Sequence, residues 1–111
     1  MTWNIYLSGE IHTDWRNEII SGCSHLDAIF TNPVTDHEAS DDCGVLILGH
    51  EDKKFWHDRK GAGINGIRTK KLLMNADIVV VRFGDKYKQW NAAFEAGFAS
   101  ALGKSLIIIH P

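Results

Sequence analysis

The sequence predicts an α/β domain of the flavodoxin-like or Rossmann-like type, a three-layer sandwich with a mainly parallel sheet. Two apolar runs carry the prediction, Ile78–Val81 and Leu106–Ile109, because strands buried on both faces lack the alternation of half-exposed strands. Between them, small and apolar residues recur at helical spacing from Ala92 to Leu102, and Gly103 suits a left-handed C-cap. Strand, helix and strand therefore form a βαβ unit, which is expected to have a right-handed crossover.

The remaining elements are predicted in chain order. Trp3–Leu7 is short, aromatic and β-branched, which is typical of a first strand. A helix is expected over roughly Trp15–Ser24. Leu26–Asn32 predicts a second strand near a sheet edge, because Pro33 follows it directly. Ile64–Met74 has the spacing of an amphipathic helix that leads into the central strand.

Length, charge and cysteine content restrict the class of protein. A chain of 111 residues is expected to form one domain, residues 1–111, with a core of its own. The net charge of −2, with both signs mixed, indicates neither a nucleic-acid nor a membrane-surface partner. No apolar run is long enough to span a bilayer, and two cysteines do not make a disulfide framework. We therefore expect a soluble, cytoplasmic protein.

Glu95 departs from the pattern of its predicted helix. It lies among small and apolar residues, one turn after Asn91. Ligands of open α/β sheets bind outside the carboxyl ends of the strands, where the segment Ser8–Glu10 and the helix start with Trp90 would meet. The other interpretation is a glutamate on the solvent side of an amphipathic helix, which is the commoner position for this residue type.

Two further features surround the carboxyl end of the strand Ile78–Phe83. Arg82 lies within the strand and needs a partner if it is buried, for which a carboxylate is suited. The loop Gly84–Gln89 follows at the same edge, and the aromatic side chains of Tyr87 and Trp90 are suited to stacking on a flat ring.

Two other patterns suggest chemistry but are better explained without it. Pro33–Asp42 with Cys43 is rich in carboxylates, but its spacing matches no usual zinc pattern, so we expect a solvated loop and no metal. Gly61–Gly66 is a literal G-x-G-x-x-G, which in dinucleotide sites directly follows a strand. His57–Lys60 is charged, so an amphipathic helix is preferred; a strand at that point would revive the dinucleotide hypothesis.

The order of three segments resembles the nucleoside 2-deoxyribosyltransferase superfamily. A tyrosine-containing first strand, a strand after an Ala-Asp turn, and a helix with Glu-x-Gly-x-Ala occur as Tyr6–Glu10, Asn75–Asp85 and Trp90–Ile109. Within that superfamily the chain resembles the YtoQ family over essentially all 111 residues. The segments that carry this resemblance are Pro33–His37, Ser40–Asp41, Ile47–Gly49, Ile64–Asn65, Arg68–Thr69 and Lys86–Asn91.

The resemblance implies an enzyme that acts on the N-glycosyl bond of (deoxy)nucleosides or nucleotides and transfers or hydrolyses the deoxyribosyl group. Glu95 falls at the position of the superfamily's catalytic glutamate, which attacks the anomeric carbon and forms a covalent intermediate. Tyr6 falls at the strand position that lines the site. The substrate-binding residues expected with them are Tyr6, Ser8, Gly9, Asp36, His37, Arg68, Tyr87, Trp90 and Asn91.

The expected roles of these residues follow from their chemistry and position. Tyr87 and Trp90 would hold the base, and Asn91 or Asp36 would hydrogen-bond sugar hydroxyls. Arg68 would suit a 5′-phosphate, because guanidinium matches phosphate geometry, although a helical arginine serves equally as a surface charge.

The resemblance also bears on assembly and on the rival function. Superfamily sites are completed by a neighbouring subunit, so a homo-oligomer is expected, with a small nucleoside or nucleotide as partner and no cofactor. Relatives continue after the position of Pro111, so the domain is expected to be C-terminally truncated. The rival is a non-catalytic nucleoside-binding or nucleotide-binding module, since fold alone does not decide activity. A Glu95 facing solvent would favour that rival.

Overall fold

The computed structural model describes residues 1–33, 49, 53–86 and 88–111. Within them, four parallel strands and three helices form an α/β structure, as the apolar runs predicted. In chain order the elements are β1 (Trp3–Gly9), α1 (Trp15–Gly22), β2 (Ala28–Thr31), α2 (Lys54–Asn75), β3 (Ile78–Arg82), α3 (Trp90–Ala101) and β4 (Ser105–Ile109).

The chain separates into two compact units. Residues 1–32 and 72–111 form the first unit, and residues 33–71 form the second. The described part of the second unit includes most of α2, which begins at Lys54. The glycines of Gly61–Gly66 therefore lie inside a helix, and no strand leads into them. The dinucleotide hypothesis is thereby excluded for this segment, and the helical interpretation is confirmed.

The first unit contains the whole described sheet, in the order β2-β1-β3-β4 with every pair parallel. This is the strand order of flavodoxin-like sheets, in which the direction of winding reverses between β1 and β3. Ser8 pairs with Val81 and Gly9 with Arg82, so the two strands end together. Their shared carboxyl edge is the place where such folds bind ligands.

The two faces of the sheet have separate cores. Successive side chains of a strand point to opposite faces. Buried residues on the face that packs against α3 are Tyr6, Leu73, Ala76, Val79, Val81, Ala92 and Ala99. Those on the face that packs against α1 are Ile5, Leu7, Trp15 and Val80. Helices on both faces give the first unit the three layers that the sequence predicted.

The predicted element boundaries are correct within a few residues, with one exception. β2 is the outermost strand on its side of the described sheet, which agrees with its predicted edge position. The exception is α2, which was expected to begin at Ile64 and begins at Lys54. Apart from Pro33, the segment that suggested a metal, Pro33–Asp42 with Cys43, lies outside the described residues.

None of the helices in the described part of the chain is both long and apolar enough to cross a membrane. That part of the chain holds no group of three or more His, Cys, Asp or Glu side chains placed to bind a metal ion.

Gly9 is required by the contact between β1 and β3. Its φ is +125°, and a Cβ at this position would lie 2.1 Å from the carbonyl oxygen of Arg82. Backbone atoms of a central strand cannot move aside, so we expect Gly9→Ala to lower the free energy of unfolding by at least about 3 kcal/mol. Urea denaturation followed by circular dichroism would measure the change.

Gly97 provides the matched control. It lies within α3, and nothing is within 4 Å of a Cβ built there. We expect Gly97→Ala to raise stability by about 0.5–1 kcal/mol, because alanine restricts the unfolded chain without strain in a helix. Equal effects of the two substitutions would contradict the steric argument.

Candidate active site

Glu95 faces the sheet from α3, and its side chain is buried, with 6% of its surface exposed. It shares the inner side of the helix with Ala92 and Ala99, the other buried residues of α3. Positions three and four residues apart line one face of a helix, so this glutamate occupies a core position. The interpretation of Glu95 as a solvent-facing residue is therefore wrong.

Two hydroxyl groups of β1 hold the Glu95 carboxylate. The Tyr6 hydroxyl donates a hydrogen bond to Oε1 at 3.0 Å. The Ser8 hydroxyl donates to Oε2. Tyr6 and Ser8 are two residues apart on a strand, so their side chains leave the same face of the sheet toward α3. Both oxygens of the carboxylate are thus oriented by neutral donors that are themselves fully buried.

Arg16 secures the strand from which these hydroxyls project. This α1 residue is buried, and its guanidinium donates hydrogen bonds to the carbonyl oxygens of Leu7 at 3.1 Å, Gly9 at 3.2 Å and Glu10 at 2.7 Å. Trp15 contributes a fourth bond, from Nε1 to the Glu10 carbonyl at 2.8 Å. The pairing of β1 with β2 extends only to Tyr6. The Arg16 side chain therefore satisfies carbonyls beyond the end of that ladder.

The charge of Arg16 belongs to the electrostatics of the site. Burial lowers the pKa of its guanidinium, whereas the nearby Tyr6, Glu10 and Glu95 raise it. An arginine stays protonated in proteins across the range of such shifts. A fixed positive charge therefore lies within electrostatic reach of both carboxyl groups at the end of β1. The guanidinium also lies 4.7 Å from the centre of the Trp15 ring, which is a favourable cation–π distance.

Glu10 is a second buried carboxylate, at the turn from β1 to α1. Its Oε2 accepts hydrogen bonds from the backbone amides of His12 at 2.7 Å and Thr13 at 3.1 Å. Its Oε1 accepts from the Thr13 hydroxyl and lies 3.6 Å from Nε of Arg82. Burial raises the pKa of the Glu10 carboxyl, but these hydrogen bonds and the charge of Arg82 together hold that pKa below its ordinary value.

Arg82 has the carboxylate partner that its position in β3 predicted. The Glu10–Arg82 pair joins the ends of β1 and β3, and the Glu10 amide also donates to the Arg82 carbonyl at 3.1 Å. At 3.6 Å the side-chain contact is an ion pair longer than a hydrogen bond. Nε of Arg82 is buried and has no hydrogen-bond partner among the described residues.

The structure brings four of the predicted site residues together at the end of β1: Tyr6, Ser8, Gly9 and Glu95. Trp90 and Asn91 are exposed at the start of α3, where the Lys88 ammonium lies 5.7 Å from the centre of the Trp90 ring. Arg68 is exposed on α2 and belongs to the second unit. The remaining predicted site residues, Asp36, His37 and Tyr87, lie outside the described residues.

Sequence reasoning did not assign Glu10 or Arg16 to the site. A signal for Arg16 was present, because it precedes Ile19 and Ile20 by three and four residues and so occupies the inner stripe of α1. A basic residue on such a stripe indicates a buried charge. Glu10 gave no comparable signal, since its partner Arg82 is far away in the sequence.

Two comparisons with known proteins agree with the resemblance found in the sequence. A family model described as "Nucleoside 2-deoxyribosyltransferase YtoQ" matches residues 6–111. "Uncharacterized protein YtoQ" of Bacillus subtilis (strain 168) is 43% identical over 113 aligned residues, which cover all of this chain and 76% of that relative. Both matches include Glu95, Tyr6 and Ser8, so the family comparison spans the site.

The environment of Glu10 predicts a specific pH dependence of stability. A carboxyl whose pKa is lower in the folded than in the unfolded state stabilises the fold above its unfolded pKa, about 4.3 for a glutamate. The stabilisation is lost as the pH falls through the lower, folded pKa. Glu10→Gln should therefore destabilise the protein at pH 7, and the deficit relative to wild type should shrink on acidification.

Urea denaturation of both proteins between pH 3 and pH 7 would measure this dependence. Glu18→Gln removes the same charge from an exposed position on α1 and is the matched control. The quantity to compare is the difference in the free energy of unfolding between Glu10→Gln and Glu18→Gln at each pH. A difference that stays constant over the whole range would contradict a lowered pKa of Glu10.

Proposed function

The chain belongs to the nucleoside 2-deoxyribosyltransferase YtoQ family, and from that membership we propose that it cleaves the N-glycosyl bond of (deoxy)nucleosides or nucleotides with Glu95 as nucleophile. The observation that carries the proposal is the Glu95 carboxylate, which is buried at the carboxyl edge of the sheet and held by the Tyr6 and Ser8 hydroxyls. The proposed reaction transfers or hydrolyses the deoxyribosyl group.

The buried position of Glu95 is unfavourable for stability, but it suits a carboxylate that takes part in a reaction. Burying a carboxylate is unfavourable unless it is paired or fully hydrogen-bonded. The hydrogen bonds of Glu95 come from neutral hydroxyls, which orient its oxygens without neutralising them. An apolar side chain would fill a purely structural position at lower cost. Departures of this kind from good packing rules concentrate at functional sites.

In the first proposed step, a Glu95 oxygen attacks the anomeric carbon of the bound nucleoside. The new carbon–oxygen bond forms as the carbon–nitrogen bond breaks, and the bonding electrons leave with the base, which takes up a proton. Positive charge develops on the sugar in the transition state, and the nearby carboxylate stabilises it electrostatically. The product is a deoxyribosyl ester of Glu95 and a free base.

In the second step, the nitrogen of an acceptor base, or a water molecule, attacks the same carbon. The ester bond to Glu95 breaks, its electrons return to the carboxylate, and the acceptor loses a proton. Two inversions at one carbon leave the configuration unchanged. Transfer and hydrolysis therefore differ only in the acceptor that reaches the ester.

The two hydroxyls are positioning groups in this scheme. An attacking oxygen must meet the anomeric carbon at a narrow range of distance and angle, and small displacements are expensive in rate. Tyr6 and Ser8 fix the plane of the carboxylate, and Arg16 fixes the strand that carries them. Tyr6 and Ser8 thus hold the Glu95 carboxylate through hydrogen bonds from β1.

We further propose that Trp90 stacks on the base and that Asn91 hydrogen-bonds the sugar. Trp90 is 73% exposed at the start of the helix that carries Glu95, and an exposed indole ring is suited to stacking on a base. The chain is proposed to act as a homo-oligomer in the cytoplasm. Assembly is supported by Phe94, which is a large exposed aromatic side chain of α3 in addition to Trp90.

Glu95→Gln should abolish base release. The glutamine keeps the shape of the side chain but is a poor nucleophile, so we expect a rate loss of roughly 10³-fold or more. Purified protein would be incubated with deoxynucleosides and their 5′-monophosphates, with and without an acceptor base, and free base measured by chromatography. Mass spectrometry of quenched wild-type protein should detect one added deoxyribosyl group that the variant lacks.

Glu18→Gln is the control for lost charge and should retain activity. Dependence of turnover on the acceptor base would distinguish transfer from hydrolysis. If wild type and Glu95→Gln are both folded and neither releases base, the non-catalytic binding module becomes the better explanation. Equal activity of the two proteins would contradict Glu95 as nucleophile.

Ser8→Ala and Tyr6→Phe each remove one donor from Glu95. We expect each to lower kcat by about 10-fold to 100-fold with little change in KM, because a misoriented nucleophile slows the chemical step without weakening binding. Steady-state kinetics on a deoxynucleoside would measure both constants. A raised KM at unchanged kcat would instead show that Ser8 contacts the substrate, as the sequence predicted.

A further inference from the structure

We propose that Glu10 is a specificity-determining residue: its carboxylate fills the place that a substrate 5′-phosphate would occupy, so that the enzyme accepts nucleosides and rejects their 5′-monophosphates. This inference rests on the proposed function and names the substrate class of the same site. The feature that carries it is a set of anion-binding donors already occupied by a side chain of the protein itself.

The donors form a cradle at the turn from β1 to α1, which we call the Glu10 cradle. It consists of the backbone amides of His12 and Thr13, the hydroxyl of Thr13 and the guanidinium of Arg82. Converging amides and a guanidinium at a strand-to-helix turn are the groups that α/β proteins use to bind phosphates. Here all of them are directed to one internal carboxylate.

The Glu10 carboxylate occupies the amide and hydroxyl donors of the cradle. A carboxylate offers about four lone-pair directions, and those of Glu10 receive two amides, one hydroxyl and the Arg82 ion pair. Only 4% of the Glu10 surface is exposed. Its Cγ is packed against Gly84, where a Cβ would lie only 3.2 Å away. A phosphate would therefore meet a buried negative charge whose amide and hydroxyl donors are already in use.

The position of the cradle suits the 5′ end of a sugar. Ser8 contacts Glu95, and Glu10 comes two residues later, at most about 7 Å away along the chain. That separation is comparable with the distance from the anomeric carbon of a nucleotide to its phosphorus. Arg16 interacts electrostatically with both carboxylates, Glu10 and Glu95. A sugar that meets Glu95 and runs along the end of β1 would direct its 5′ oxygen toward Glu10.

A role for Glu10 as general acid or base fits the structure less well. A group that transfers protons near neutrality needs a pKa close to the working pH. The hydrogen bonds and Arg82 hold the pKa of Glu10 below its ordinary value in spite of burial, so the group stays ionised. The geometry accordingly supports a permanent internal anion.

The kinetic test compares a deoxynucleoside with its 5′-monophosphate. Bringing a phosphate against the Glu10 carboxylate places like charges side by side, so wild type should prefer the nucleoside in kcat/KM by on the order of 100-fold. Glu10→Ser removes the carboxylate and frees the cradle. We expect that variant to reduce the preference by at least about tenfold, because the phosphate gains charge-assisted hydrogen bonds. Glu10→Gln, which removes the charge but still fills the space, should gain no affinity for phosphate.

A binding measurement tests the cradle independently of turnover. Inorganic phosphate and ribose 5-phosphate would be titrated into wild type, Glu10→Ser and the double variant Glu10→Ser with Arg82→Gln. Phosphate should raise the Tm of Glu10→Ser by roughly 2–4 °C, leave wild type unchanged, and lose its effect in the double variant. Glu18→Ser, an exposed change of equal charge, should behave as wild type.

The outcomes separate this inference from the proposed function. A wild type that prefers the 5′-monophosphate, or that binds phosphate through Arg82, would overturn the role of Glu10 whatever the mechanism. A folded Glu10→Ser that gains no phosphate binding would also overturn it. If Glu10→Ser does not fold, the wild-type preference decides. If no substrate is turned over, the proposed function fails, and the phosphate titration still decides whether the Glu10 cradle exists.

Discussion

A buried guanidinium at the end of β1 is the interaction on which the site depends. Backbone carbonyls that leave a sheet within the protein must find other donors, because an unpaired buried carbonyl is expensive. Arg16 supplies three such bonds from α1, and its charge is compensated by the Trp15 ring and by the carboxylates around it. The strand that orients Glu95 is thereby tied to a helix on the opposite face of the sheet.

The two carboxylates near Arg16 differ in the groups that surround them, and this difference supports the different roles proposed for them. Glu10 receives amides, a hydroxyl and a guanidinium, which hold it as a permanent anion. Glu95 receives the hydroxyls of Tyr6 and Ser8, and no ion pair joins it to another of the described residues. Paired carboxylates in unlike environments commonly divide their tasks in glycosyl chemistry. In the proposed scheme Glu10 selects the substrate and Glu95 attacks it.

The features that the sequence could predict are those that depend on residues close together in the chain. The strands appear as apolar runs, and Glu95 is conspicuous because the residues around it are small and apolar. Glu10 resembles any polar turn residue until β1 is known to lie beside β3, which brings Arg82 to it. The early start of α2 was missed because Gly61 and Gly63 argue against a helix, each costing up to about 1 kcal/mol relative to alanine. Tertiary context overrides that local preference.

One strand holds the residues to which both proposed roles, attack and specificity, are linked. Tyr6 and Ser8 leave β1 toward α3 and orient the nucleophile, whereas Glu10 follows the strand and fills the cradle at the turn. Gly9 lies between Ser8 and Glu10 in the chain, and its backbone packs against that of Arg82. A shift of β1 by a fraction of an ångström would move the Glu95 donors and the Glu10 cradle together. Close pairing of β1 with β3 is therefore a condition for the chemistry as well as for the fold.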